Sequence, residues 1–202
     1  MMGVSDNVLQ NFFTNLEIVE GRFVYFFLIT YGEAARDRRI QLKSLKLAKL
    51  MKKDSEQLLK TYAFKQGDIY RICTLVQLKV VPDVGITGKE PVERMQSIYT
   101  SLIHFKGLFD TISEQQRDLL YPADDTLHSM LIEAQSRIKD LANNLLMTFP
   151  KLSVVKGQES SPLANGNYFQ QKLFGCSVLK KYTEFLSQVV KELSDFGTKT
   201  PE

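Results

Sequence analysis

Two histidines and two cysteines are the scarcest reactive side chains in this 202-residue chain, and their spacing limits the chemistry open to it. His104 and His128 each fall inside a helical pattern, and neither belongs to a set of Cys, His and carboxylate side chains at metal-ligand spacing. Both are therefore expected to be ordinary helix-surface residues. No glycine-rich phosphate loop is present, and no Ser, His and Asp arrangement marks a nucleophile. The residue types thus offer no support for an enzyme, a cofactor or a metal site. Cys73 and Cys176 leave two alternatives: a single disulfide in an oxidising compartment, or two reduced and buried thiols.

What remains is binding chemistry. Arg36, Arg38, Arg39, Lys43, Lys46, Lys49, Lys52, Lys53, Lys60 and Lys65 make one segment strongly basic. These charges lie on several helix faces without an aromatic stacking platform, so a solvated or partner-facing surface fits better than nucleic acid or a membrane. The net charge of +3 is too small to argue for nucleic acid. Farther along, Phe169 and Lys172 stand three residues apart, which on a helix places them on one face a turn from each other.

Those residues need elements to hold them, and helical periodicity supplies four. Met95, Ile98, Leu102, Phe105, Phe109 and Ile112 follow a three-four spacing that forms one apolar stripe. Leu127, Leu131, Ala134, Ile138, Leu141 and Leu145 repeat it, with Asp124 or Asp125 as the N-cap. Leu179, Tyr182, Leu186, Val189, Leu193 and Phe196 give a third stripe, and Ile40, Leu47, Met51, Leu58 and Tyr62 a fourth that stops at Gly67. Helices are expected over about 36–66 (A), 92–116 (B), 126–149 (C) and 168–196 (D), with almost no sheet.

The connections indicate how these helices are joined. About nine residues separate B from C, enough only to fold C back on B, whereas about 25 separate A from B and about 18 separate C from D. Helices of 25 to 30 residues measure roughly 40 Å, and both long connections can span that length. The expected architecture is therefore all-α: a long-chain four-helix bundle, up-up-down-down, with two long crossover loops. The A to B connection is partly apolar, with Ile69, Ile72, Leu75, Val76, Leu78, Val80 and Val81, and should drape over the bundle.

Before helix A, the run from Phe23 to Tyr31 follows Arg22 and precedes Gly32-Glu33-Ala34-Ala35, which suits an export signal cleaved after Ala34. Residues 1–34 are then a leader and 35–202 the bundle domain; a buried strand or helix fragment is the alternative. The leader is overlong for a signal peptide and carries Asp6, Glu17 and Glu20. No run reaches the roughly 18 apolar residues of a membrane helix.

The segment from Asn167 to Tyr182, with Phe169, Lys172, Gly175, Cys176 and Tyr182, resembles the opening of the last helix in the leukaemia inhibitory factor, oncostatin M and ciliary neurotrophic factor group of the interleukin-6 cytokine superfamily. Tyr62-Ala63-Phe64-Lys65-Gln66-Gly67 resembles that group's end of helix A, and Ile112-Ser113-Glu114-Gln115-Gln116 with Thr126-Leu127-His128-Ser129 its B to C corner. Two departures are Phe174, where the neurotrophic factor has Trp, and the missing additional cysteines of leukaemia inhibitory factor. The resemblance implies a secreted cytokine, a monomer without enzyme activity or cofactor, that cross-links a shared signal-transducing receptor chain and a leukaemia inhibitory factor receptor-like chain. It also implies that Phe169 and Lys172 contact the second chain, that helices A and C together bind the shared chain, and that Cys73 and Cys176 pair. On helix C, Arg137, Asp140 and Asn144 fall at i, i+3 and i+7 opposite the apolar stripe, and Lys46, Lys49 and Lys53 lie on helix A; exposure alone marks these six for the shared chain. An intracellular helical interaction module or lipid-binding bundle is the competing reading, and for Phe169 the alternative is a core cap beside a solvated Lys172.

Overall fold

The computed structural model describes residues 6–67, 69, 71–72, 85–119, 125–155 and 166–198, with side chains described from Arg36 onward except those of Asp118, Asp125 and Thr198. Four helices follow in order: α1 (Asp6–Lys65), α2 (Pro91–Leu119), α3 (Asp125–Thr148) and α4 (Tyr168–Thr198). Among the described residues there is no strand. The last three helices lie within one to three residues of their expected limits. Helix A is corrected at its start, because α1 begins at Asp6 rather than near Arg36. The first proline is Pro82, so nothing in the preceding chain imposes a break, and the isolated Gly21 and Gly32 weaken a helix without stopping it.

Two compact units divide the chain between Arg39 and Ile40. The first, Met1–Arg39, is helical from Asp6 onward, and the second, Ile40–Glu202, holds the bundle. No described helix is long and apolar enough to cross a membrane.

Pairing at named positions gives the direction of each helix. Arg94 near the start of α2 meets Glu192 near the end of α4 at 2.9 Å, so these two run antiparallel. Asp110 and Gln135, each about ten residues from the α2–α3 corner, are bonded at 3.0 Å, which makes that pair antiparallel too. Gln66 and Gln116, both at C-terminal helix ends, meet at 2.5 Å, so α1 and α2 are parallel. The arrangement is up-up-down-down, as the long, short, long connections require.

The core is built from the stripes. Met95, Ile98, Leu102, Phe105, Phe109 and Ile112 are all fully buried, as are Leu131, Ile138 and Leu141 on α3 and Leu186 and Val189 on α4. Phe105 and Phe109 meet Tyr182 edge-on at 5.1 and 4.9 Å between ring centroids, a favoured aromatic geometry that joins α2 to α4. Burial raises the Tyr182 pKa, so the ring stays neutral in the core. Of the apolar A to B connection, Ile69 is buried and Ile72 exposed, while residues 73–84 lie outside the described residues.

Two helix ends have local chemistry behind them. Pro91 occupies the first turn of α2, where its missing N–H is no loss, and the Glu93 carboxylate accepts the N–H groups of Lys89 and Glu90 at 2.8 and 3.2 Å. Those bonds hold the Glu93 carboxyl below its ordinary pKa. At the other end of the bundle, α1 stops at Gly67, whose φ of +92° lies in the left-handed region that glycine adopts most readily. The carbonyls of Tyr62, Ala63 and Phe64 are then taken by the N–H groups of Gln66, Ile69 and Gly67.

Candidate functional site

The first turn of α4 is fixed by a reciprocal cap. Asn167 Oδ1 accepts the Gln170 N–H at 2.9 Å, and Gln170 Oε1 accepts the Asn167 N–H at 3.0 Å. Such a capping box satisfies two otherwise orphaned donors and sets the entry of the chain into the helix. Tyr168 and Phe169 follow the cap at once and stand in solvent, with 67% and 52% of their surface exposed. Phe169 is thus an apolar ring on a rigid support and not a core cap. The Asn-x-x-Gln spacing is a sequence signal for this cap, one that reading the apolar stripes alone passes over.

Lys172, one turn later, is half-buried. Its Nζ donates to the Gln66 carbonyl at 3.3 Å, which ties α4 to the end of α1 and leaves two of the three ammonium protons for other acceptors. Its own carbonyl accepts the Tyr62 hydroxyl at 3.4 Å. Behind it the Gln116 amide donates to Tyr62 Oη at 3.4 Å and its carbonyl accepts from Gln66. Burial pushes the Tyr62 pKa up, so the phenol remains a donor. Tyr62, Gln66 and Gln116 are all buried, and together they join the ends of α1 and α2 to the start of α4.

Gly175 explains how α4 comes so close. A Cβ there would lie 2.6 Å from Tyr62 Cζ and closer still to Tyr62 Oη. Glycine is the residue that lets the tyrosine ring lie against this turn. The next residue, Cys176, is completely buried, and no described cysteine is free. Cys73 lies outside the described residues.

The six residues marked on α1 and α3 divide. Lys46, Lys49, Lys53 and Asp140 are exposed and Asn144 is half-buried. Arg137 differs from its expected placement opposite the stripe: its side chain is only 19% exposed and bridges Asp54 of α1 and Glu133 of its own helix. It sits on the flank of the stripe and holds α3 to α1. Together with Met51, Leu58, Met130, Ala134 and Tyr182 of α4, it lines a small cavity of about 90 Å³. His128 is half-buried on α3, and among the described residues no group of three His, Cys, Asp or Glu side chains is placed to hold a metal.

A family profile described as ciliary neurotrophic factor matches residues 30–202. Among curated proteins, no sequence matches the chain.

Proposed function

Because the chain belongs to the ciliary neurotrophic factor family and is a cytokine of the interleukin-6 group, we propose that it signals by bringing two different receptor chains together through two separate surfaces. The first turn of α4 contacts a leukaemia inhibitory factor receptor-like chain through Phe169 and Lys172. The exposed side of α1 and α3, with Lys46, Lys49, Lys53, Asp140 and Asn144 beside Arg137, contacts the shared signal-transducing chain. The observation that carries this is Phe169, an exposed aromatic on a capped turn one helical step from a tethered ammonium. A ring so placed can bury its area in a partner pocket with little ordering cost, while the ammonium meets an acidic group. The chain carries out no enzymatic step of its own.

Receptor pairing is tested on cells. Those bearing both chains should respond to the purified protein and those bearing either one alone should not. A response through a single chain would overturn the proposal.

On the α1–α3 face, Asp140→Lys with Lys49→Glu should weaken binding to the shared chain about tenfold, or ~1.4 kcal/mol, and leave the second chain unaffected. Arg137 is unsuited to that test because its removal leaves Asp54 and Glu133 facing each other without their cation. Unchanged titration of the shared-chain ectodomain would remove this face from the proposal.

Secretion belongs to the same proposal, with a leader over residues 1–34 and a mature domain from Ala35. N-terminal sequencing of exported protein tests it, and an intact N-terminus on exported protein would contradict it. In that oxidising setting Cys73 and Cys176 form the sole disulfide, a pairing supported by the burial of Cys176 and the absence of a free described cysteine. Closing a loop of about 100 residues contributes up to roughly 4.7 kcal/mol in the chain-entropy model. A nonreduced digest should yield one peptide pair that separates on reduction, and separate recovery of the two peptides would refute the bridge.

A further inference from the structure

Among the described residues, three aromatic side chains stand among the large exposed hydrophobics, and all three lie at one end of the bundle. Tyr168 and Phe169 open α4, and the third is Phe64 in the last turn of α1, 73% exposed and the most open of the three. Its helical neighbours Tyr62, Ala63 and Gln66 are buried, so Phe64 occupies the outward face of a turn that is itself locked. That turn is joined to α4 directly: Gln66, two residues beyond Phe64, receives the Lys172 ammonium at 3.3 Å, and Lys172 lies one turn beyond Phe169.

An exposed phenylalanine contributes little to the fold, yet this one sits on rigid backbone next to the turn that carries Phe169. We propose that Phe64 is a further anchor for the second receptor chain, so that this contact spans the junction of α1 and α4. The inference rests on the receptor reading of Phe169 and Lys172. Charge at the junction describes the occupant. Lys60, Lys65 and Arg71, within seven residues of Phe64 in the chain, are exposed, with Glu114 the described exposed acid on the neighbouring end of α2. The partner surface that fits is apolar at its centre and acidic at its rim, which matches the acidic group that Lys172 requires. The network through Tyr62, Gln66 and Gln116 keeps the two turns in register, so the rings are presented together without ordering on binding.

The test compares Phe64→Ala with the Phe169→Ala/Lys172→Ala protein, each titrated against soluble ectodomains of both receptor chains beside a thermal melt. Phe64→Ala should lose at least tenfold in affinity for the second chain, with shared-chain binding and the melt unchanged. Normal second-chain binding by Phe64→Ala, while the α4 double variant loses it, would overturn this inference and leave the α4 contact standing. Normal binding by both variants would overturn the receptor reading and this inference with it. A photo-crosslinking phenylalanine analogue at position 64 gives an answer independent of stability. It should capture the second chain and not the shared one, and capture of the shared chain or of neither would overturn the proposal.

Discussion

Replacing Gly175 by alanine is expected to destabilise the bundle by about 3 kcal/mol, the upper end of what overpacking a close-packed site costs. For a domain of this size the melting temperature should fall by roughly 6–12 °C. The added methyl would lie 2.6 Å from Tyr62 Cζ, and Tyr62 has no room to retreat, because its ring is wholly buried and its hydroxyl is held between Gln116 and the Lys172 carbonyl. Relief must come from moving α4 away from α1, which would also loosen the bond from Lys172 to Gln66. Tyr62→Phe removes the nearest atom, so in a double-mutant cycle it should cost less beside Gly175→Ala than in the unaltered protein. An alanine variant that melts within about a degree of the parent would show that the two helices do not pack as described.

Truncating Phe169 and Lys172 together to alanine should lower affinity for the second receptor chain by at least ~2 kcal/mol, or about thirtyfold. The fold should survive. Phe169 is exposed, and although Lys172 loses its bond to the Gln66 carbonyl, the Tyr62 bond to the residue 172 backbone remains available. The capping box is made by Asn167 and Gln170 and is left intact. Selective loss is therefore the expected result: the shared chain still bound, the second chain released, and signalling abolished. Circular dichroism and a thermal melt separate this from general unfolding.

The architecture was legible where one residue type repeats at the helical period. The α2 stripe from Met95 to Ile112 is fully buried because a three-four spacing leaves those side chains no other face. The end of α1 was legible for a different reason, since Gly67 adopts the left-handed conformation that terminates a helix. The start of α1 was not: the aromatic run near residue 25 suits an export signal and a helix alike, and no proline separates the two readings. Phe169 and Lys172 were visible as a pair on one face. Their support was not, because contacts such as Tyr62 against Gly175 or Lys172 on Gln66 join residues more than a hundred positions apart and leave no local spacing. Arg137 shows the same limit, since helical position places it near the flank of α3 but cannot show that Asp54 of α1 will meet it.

Pairing of two receptor chains by one molecule is measured most directly by sedimentation of the purified protein with equimolar soluble ectodomains of the shared chain and of the leukaemia inhibitory factor receptor-like chain. A single 1:1:1 species is expected, and the Phe169→Ala/Lys172→Ala protein should yield only the binary complex with the shared chain. Two binary complexes that never combine, because the ectodomains compete for one surface, would contradict the account.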